Sequence, residues 1–152
     1  MLEPARRLAQ RRGIEREPVL AAVDRALSPA DSPEVPARQR AEVLRLRGTL
    51  LRRVGRVHEA MEAQADAVAV FRQVGARRLE ARAKNSLAFA MFVLGRFEDA
   101  IALGLEAIRI DLAIGGRFQI ARTLANIGRA FARLGDHGRA QSYLGRAREA
   151  HQ

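Results

Sequence analysis

Apolar and small residues recur every three or four positions along most of the chain, which is the spacing of one face of an α-helix. In the segment from about 36 to 54 they are Ala41, Leu44, Gly48, Leu51 and Val54. In the next segment, about 57 to 74, they include Ala60, Ala67, Val70 and Val74. Glycines end these segments, as expected of helix C-termini. The pattern predicts six helices, at about 36–54, 57–74, 78–94, 97–114, 118–134 and 137–150.

The chain also matches itself at an offset of forty residues. The matched small residues are Gly55, Gly95 and Gly135; Ala60, Ala100 and Ala140; Ala67, Ala107 and Ala147; and Gly48, Ala88 and Gly128. The set of Gly48, Ala88 and Gly128 should let the two helices of one pair approach closely. Ala67 and its equivalents should admit the first helix of the next pair. This register indicates a repeat of helix pairs. We therefore expect an all-α fold in which antiparallel helix pairs stack into a right-handed solenoid, with the first helices on the concave wall.

The domain organisation follows from the same register. Three repeats are expected at about 36–76, 77–116 and 117–152, after a degenerate helix pair and a Pro- and Ser-rich linker within 1–35. In that segment, 2–12 and 18–27 are the expected helices. Either Asp31 or Ser32 is expected to cap the helix that follows. Asp136 is a good cap for the last helix, whereas Arg56 and Arg96 are poor ones at the equivalent positions.

Composition is consistent with one globular domain, since 48% of the 152 residues are hydrophobic and 29% are charged. The absence of cysteine excludes disulfides, thiolate metal sites and a cysteine nucleophile. The chain has neither a leader-like segment nor an apolar run of about 18 residues, so a soluble, cytoplasmic protein is expected. The net charge is +10, and 26 of the 27 basic residues are arginine. This excess fits a basic binding surface and the codon bias of a GC-rich genome equally well.

Several of these positions resemble the tetratricopeptide repeat. The matches to its order of leucine, glycine, large apolar residue and two later alanines are Gly48, Leu51, Ala60 and Ala67; Leu87, Ala88, Met91, Ala100 and Ala107; and Ile127, Gly128, Phe131, Ala140 and Ala147. The resemblance covers about 40–152. Leu44, Lys84 and Leu124 stand at the early aromatic position of the family, and the closing proline is absent. The longer period looks like the forty-residue subclass found in kinesin light chains and in bacterial regulators. The resemblance implies protein or peptide binding on the concave face.

Residues of the first helices that are not needed for packing should face this groove. Besides Glu42, they are Arg45, Thr49, Arg52, Arg82, Asn85, Ser86, Phe89, Phe92, Arg122, Asn126 and Arg129. Arginine and asparagine carry the donors that hold carboxylates and peptide backbone. The leading hypothesis is a non-catalytic module that binds an acidic or C-terminal peptide, with the two phenylalanines as an apolar floor. The alternative is that the arginines are ordinary solvated helix faces and that the phenylalanines belong to the core.

Other residues of the sequence suggest alternative functions. Tyr143, Leu144 and Ala147 form an apolar stripe on the last helix, which predicts a homodimer or a covering segment of a longer signalling or regulatory protein. A sensory domain would bind a small ligand around Phe89 and Phe92. The arginines at 45, 47, 52, 53 and 56 suggest phosphate contact, but no nucleic-acid-binding motif accompanies them, so nucleic acid is an unlikely partner.

Nothing in the sequence supports an enzyme. His58, His137 and His151 have no further ligands at suitable spacing, so no metal site is expected. Glu98 and Asp99 fall in the first turn of a helix, where the dipole favours negative charge. The serines lack a nearby base, and no glycine pair follows a strand to form a phosphate loop. We expect no cofactor and no catalytic residues.

Overall fold

Six helices make up most of the computed structural model, which describes residues 32–117 and 119–151 together with Pro18, Ala21, Asp24, Arg25 and Ser28. They are α1 (Ala37–Arg53), α2 (Val57–Gln73), α3 (Arg77–Val93), α4 (Phe97–Ala113), α5 (Ile120–Arg133) and α6 (His137–Ala150). These bounds agree with the expected helices to within two residues at every end. No strand occurs in the described residues. The all-α prediction is confirmed.

The expected N-terminal helix pair falls largely outside the described residues, and its first helix, 2–12, lies there entirely. Pro18, Ala21, Asp24 and Arg25 of the second expected helix have helical conformation. The carboxylate of Asp24 lies 3.3 Å from Nε of Arg47 in α1. This ion pair connects the segment before residue 32 to the first helix of the solenoid.

The five turns between helices share one hydrogen-bonding pattern. After α1, the N–H of Gly55 donates to the carbonyl of Arg52, and the N–H of Arg56 donates to the carbonyl of Leu51 at 2.9 Å. This pair of bonds defines a Schellman motif, which needs a left-handed residue. Each turn supplies it as a glycine with φ between 70° and 91°. The glycines at the forty-residue offset therefore stop each helix at the same point.

The N-termini are less well satisfied than the C-termini. Among the six helices, only α6 has a side-chain cap, in which Asp136 accepts from the backbone N–H of Arg139 at 3.0 Å. Arg56 and Arg96 make no such bond, as predicted. The predicted cap of α1 was wrong, because Pro36 is the N-cap residue of this helix and Ser32 belongs to the preceding turn. Asp31, the other predicted cap, lies outside the described residues. Proline disfavours helical conformation in the residue before it, so α1 cannot begin earlier.

Packing follows the chain order. Each helix contacts the next one, and the first helices of successive pairs also touch, α1 with α3 and α3 with α5. The second helices α2, α4 and α6 make no such contact with one another among the described elements. The pairs therefore converge on the side of α1, α3 and α5, which form the inner, concave wall. This arrangement is the expected solenoid of helix pairs.

Small residues set the distance between helices. A Cβ added at Gly128 of α5 would lie 2.8 Å from Cγ of Leu144 and 3.2 Å from the carbonyl oxygen of Ala140, both in α6. Ala67 is fully buried in a cluster with Ala83 of the next pair. One expected core residue, Val74, is 46% exposed instead. It follows the last residue of α2 and lies on the turn, so Phe71 fills the core in its place.

A buried ion network joins α3 to α4 at the position where the family has an aromatic residue. Nζ of Lys84 lies 3.3 Å from Oε1 of Glu80 and 2.7 Å from Oε2 of Glu106. Nη1 of Arg77 lies 2.9 Å from the other oxygen of Glu80. The Glu80 side chain is only 1% exposed. The only lysine of the chain therefore neutralises a buried carboxylate.

Candidate functional site

Phe89 of α3 lies at the middle of the concave wall, where three elements meet. Its ring stacks with that of Phe92 at a centroid distance of 6.3 Å. The guanidinium carbon of Arg52 in α1 lies 4.5 Å from the centroid of the Phe89 ring. Burial lowers the pKa of Arg52 below its ordinary value, and the charge of Arg53 lowers it further. Arginine still remains protonated at neutral pH, so a cation–π contact holds a positive charge over the face of the partly exposed Phe89 ring.

Phe92 faces more toward the core than Phe89 does. Its ring meets Phe97 of α4 edge to face at 5.4 Å, and the guanidinium of Arg133 in α5 lies 5.8 Å from its centroid. Phe89 and Phe92 were both predicted as groove residues from the sequence, whereas Arg133 was not. The signal was present, because Arg133 follows Arg129 by four residues and so lies on the same helix face.

The polar residues of α1 are paired within the helix. Arg45 forms a bidentate ion pair with Glu42, with Nη2 2.6 Å from Oε1 and Nε 3.2 Å from Oε2. This hydrogen bonding lowers the pKa of Glu42, to which the charge of Arg82 on α3 also contributes. The Thr49 hydroxyl donates to the carbonyl of Arg45. At this end of the wall, the charge of Arg45 is neutralised by Glu42.

Asn85, which was expected in the groove, connects α3 to α5 instead. It is 7% exposed, its amide nitrogen donates to Oε1 of Gln119 at 3.1 Å, and its amide oxygen accepts from the hydroxyl of Thr123 at 2.9 Å. Both polar atoms of its side chain are therefore used in holding two first helices together. A ligand in the groove would therefore contact the residues around Asn85 rather than Asn85 itself.

The remaining predicted residues are accessible on α3 and α5. Arg82, Arg122 and Arg129 are exposed, while Ser86 and Asn126 are partly buried. The Ser86 hydroxyl donates to the carbonyl of Arg82, and Arg129 donates to the amide oxygen of Asn126 at 3.2 Å. None of the three arginines has a carboxylate partner in the ion pairs of the described residues. Their charges are available to a ligand.

The unbalanced charge of the concave wall is consequently positive. Glu42 is the single carboxylate among the predicted groove residues, and Arg45 balances it. The unbalanced positive charges are those of Arg52, Arg82, Arg122, Arg129 and Arg133. A concave surface of one sign attracts ligands of the other.

The phenylalanines do not enclose a small-ligand pocket. The cavity beside Phe89 and Phe92 has a volume of about 10 Å³ and is closed by Gly104, Thr123 and Ile127. A volume of this size holds about one water molecule, whereas small-molecule sites measure roughly 300–1,000 Å³. The expectation of a small ligand around these two rings therefore has no support in the structure.

The residues of the predicted self-association edge lie on two different surfaces. Tyr143 stacks on Phe131 of α5 at 5.4 Å and faces a groove that Glu98 and Leu105 also line. Leu144 packs on Gly128, and Ala147 is 7% exposed. These last two residues line a separate cleft at the end of the solenoid. Adjacent helical residues are about 100° apart around the axis, so Tyr143 and Leu144 cannot share one face.

The basic cluster at residues 45–56 is also divided. Arg45, Arg47 and Arg56 pair with Glu42, Asp24 and Glu59, respectively. His58, His137 and His151 are exposed. Within the part of the chain that the structure describes, no three His, Asp or Glu side chains are grouped to hold a metal ion. No helix in that part is long and apolar enough to cross a membrane.

The fold and the concave wall together define a helical repeat protein built from stacked helix pairs. The family model described as "Tetratricopeptide repeat" matches residues 39–113 and again 79–152. These matches cover most of the chain, which therefore belongs to the tetratricopeptide repeat family. Folds of this family are generally protein-interaction modules and non-enzymatic scaffolds. The comparison with curated proteins found no match.

Solved structures show the same fold. The apo form of RapI superposes with a TM-score of 0.79 at 19% identity over 94% of this chain. A Rap protein complexed with Competence and Sporulation Factor gives a TM-score of 0.73 at 16% identity over 90% of the chain. BtubC from P. vanneervenii gives 0.59 at 18% identity over 99%. The chain spans 52% of RapI, 39% of the Rap protein and 86% of BtubC.

Proposed function

We propose that this protein binds an acidic segment of a partner protein in the groove formed by α1, α3 and α5, without catalysing a reaction. The observation that carries the proposal is the one-sided charge of the wall around Phe89. Carboxylates of a bound peptide would pair with Arg129 and Arg82, and an apolar side chain would pack on the exposed part of the Phe89 ring. A free C-terminal carboxylate is a suitable group for the same donors.

The second support for this proposal is Phe89, which can act as an apolar anchor for the bound peptide. Phe89 is partly exposed, and its position is fixed by Phe92 on one side and by Arg52 on another. Aromatic and arginine side chains that are already held in place lose little conformational freedom on binding. Such groups dominate the energy of many protein interfaces. The Rap protein that shares this fold is itself complexed with Competence and Sporulation Factor, which supports a role in binding another molecule.

We also propose the expected organisation into repeats at about 36–76, 77–116 and 117–152, and membership of the forty-residue subclass. Val57, Phe97 and His137 begin the second helices of the three pairs and lie forty residues apart. The regular offset supports a single repeat length throughout the solenoid.

The proposal can be tested with fluorescein-labelled peptides in an anisotropy titration. One peptide is acidic with a single phenylalanine and a free carboxylate, the second has a C-terminal amide, and the third replaces each acidic residue with lysine. We expect the acidic peptides to bind and the lysine peptide not to bind. Because exposed charges are screened, affinity should fall as salt is raised. Comparing the free carboxylate with the amide shows whether the C-terminus itself is recognised.

Two variants locate the binding site. Phe89→Ala removes the anchor and should cost about 2 kcal/mol, which is about 30-fold in Kd. Arg129→Glu reverses one charge of the wall and should weaken binding about tenfold. Arg109→Glu is the matched control, because Arg109 is an exposed arginine of the second helix α4. Equal affinity of all four proteins, or equal binding of acidic and lysine peptides, would contradict the proposed groove.

A further inference from the structure

The last helix pair leaves an open cleft at the C-terminal end of the solenoid. Its volume is about 920 Å³, and its floor consists of Ala121 and Ala125 from α5 and Leu144 and Ala147 from α6. The floor is therefore apolar and built from short side chains. This cleft is separate from the ring of Phe89, which does not line it.

The preceding pair shows what such a cleft accepts. On α3 and α4, the equivalent positions forty residues earlier are covered by α5. A Cβ at Gly104 of α4 would lie 2.9 Å from Cγ1 of Ile127 and 3.5 Å from Cγ2 of Thr123. Ala81 and Ala107, which correspond to Ala121 and Ala147, are fully buried. Leu144 stands at the position equivalent to Gly104, so a helix in the open cleft would lie farther out than α5 does. The small residues at 121 and 147 still match a surface that accepts one amphipathic helix.

The rim of the cleft indicates the charge of that helix. Arg82 and Arg122, which also belong to the concave wall, line it together with Arg148 and His151, and no carboxylate does so among the described residues. Arg82, Arg122 and Arg148 are exposed. Apolar residues of an incoming helix would rest on the alanines, while residues at its two sides would meet these guanidinium groups.

We propose that the cleft binds an acidic amphipathic helix of a partner protein. Its apolar residues, spaced three and four apart, pack on Ala121, Ala125 and Ala147. Its Glu or Asp residues flank that stripe and pair with Arg122 and Arg148. This is helix-in-groove recognition at the end of the solenoid, and it does not depend on a peptide in the concave groove.

The charge argues against two other occupants. A second copy of this chain carries a net charge of +10, and its α6 would bring Arg146 and Arg148 against their own equivalents. Residues 1–12 of the same chain contain four arginines and one glutamate. Like charges placed side by side across an interface are unfavourable.

The test uses peptides based on α5, the helix that covers the equivalent positions of the preceding pair. One labelled peptide copies α5 (Ile120–Arg133) with its three arginines replaced by glutamate, and the other retains the arginines. The apolar face, including Leu124 and Ile127, is identical in both. In anisotropy titrations with the full chain at low salt, we expect the acidic peptide to bind at least about tenfold more tightly than the basic one. Equal binding of the two, or no binding of the acidic one, would overturn the proposal.

Variants assign the binding to the cleft. Ala121→Arg places a long side chain on the floor and should abolish binding, and Arg148→Glu should weaken it about fivefold. Arg129→Glu, which alters the concave groove, should leave the affinity within about twofold. The opposite order of effects would place the peptide in the groove and refute the cleft. Circular dichroism establishes that each variant is folded. Sedimentation of the chain alone completes the test, since a dimer that Ala121→Arg dissociates would identify a second copy as the occupant and overturn the proposal.

Discussion

The lysine at position 84 offers a direct test of how the second repeat is stabilised. Replacing it with leucine gives this repeat the residue found at the equivalent positions, Leu44 and Leu124. The change leaves Glu80, whose side chain is 1% exposed, with Arg77 as its remaining ion-pair partner. Arg77 is itself 52% exposed. A substitution toward the family pattern should therefore destabilise the protein.

The expected loss of stability is the difference between two opposing contributions to the free energy of unfolding. Removing one partner of a buried ion pair costs about 3–5 kcal/mol, and the surviving contact to Arg77 places this case near about 3 kcal/mol. Burying the leucine side chain returns about 1 kcal/mol relative to the lysine stem. We expect Lys84→Leu to lower the free energy of unfolding by about 2 kcal/mol. For a chain of this length, that corresponds to a decrease in Tm of roughly 4–8 °C.

The measurement is equilibrium urea unfolding followed by circular dichroism, with the slope of the transition used to confirm that the unfolded state is unchanged. The matched control is the double variant Lys84→Leu/Glu80→Ile, which reproduces the Ile120 and Leu124 pair of the third repeat. Because it removes the buried charge as well as its partner, it should be at least as stable as the parent. If Lys84→Leu alone kept the parental midpoint, Glu80 would not need Lys84, and the argument would fail.

Four further substitutions test local features of the fold. Gly128→Ala should cost about 1–3 kcal/mol because its Cβ would overlap Leu144, whereas Gly145→Ala, with no atom within 4 Å, should stabilise its helix by about 0.5–1 kcal/mol; equal urea midpoints for the two would refute this. Asp111→Asn should raise Tm at neutral pH, because Oδ2 of Asp111 is buried without a hydrogen-bond partner and burial raises the pKa of this carboxyl. A raised pKa means that its ionisation destabilises the fold as pH increases, so the difference in Tm should vanish below about pH 4. Hydrogen bonds from the backbone and side chain of Arg139 lower the pKa of Asp136, so the stability that it contributes is present above about pH 4 and lost in more acid solution; an Asp136→Ala variant with an unchanged acid-unfolding curve would contradict this.

The helices and their turns could be predicted because each depends on residues close in sequence. Helical spacing located α1 to α6, and the glycines that follow them adopt the left-handed conformation that ends each helix. The capping residue of α1 was misassigned because Ser32 and Pro36 both suit a helix N-terminus. Only the backbone conformation of Pro36 decides between them.

The site was predictable in position but less so in the partners of each side chain. Phe89 on α3 is partly exposed and Arg129 on α5 is exposed, which is compatible with their predicted place in the groove. Asn85 has the same register, yet it is buried by Gln119 and Thr123, which lie more than thirty residues away. Such partners depend on how one repeat is set against the next, and that offset is not encoded in helical spacing.

The ion network of Lys84 also has one partner that could be predicted from the sequence and one that could not. Its i, i+4 spacing from Glu80 could be read from the sequence. Its second partner, Glu106, lies 22 residues away on the next helix. The charge pairing within α3 was accessible to sequence analysis, whereas the burial that makes it important was not.

Among α1 to α6, contacts reach no further along the chain than the next helix but one. Proteins dominated by such local contacts fold rapidly, because little loop entropy is lost before packing is gained. The missing side-chain caps at α1 to α5 also weaken each helix on its own. A single helix or pair is therefore not expected to persist by itself, and during synthesis each new pair would pack on the surface already formed by the pair before it.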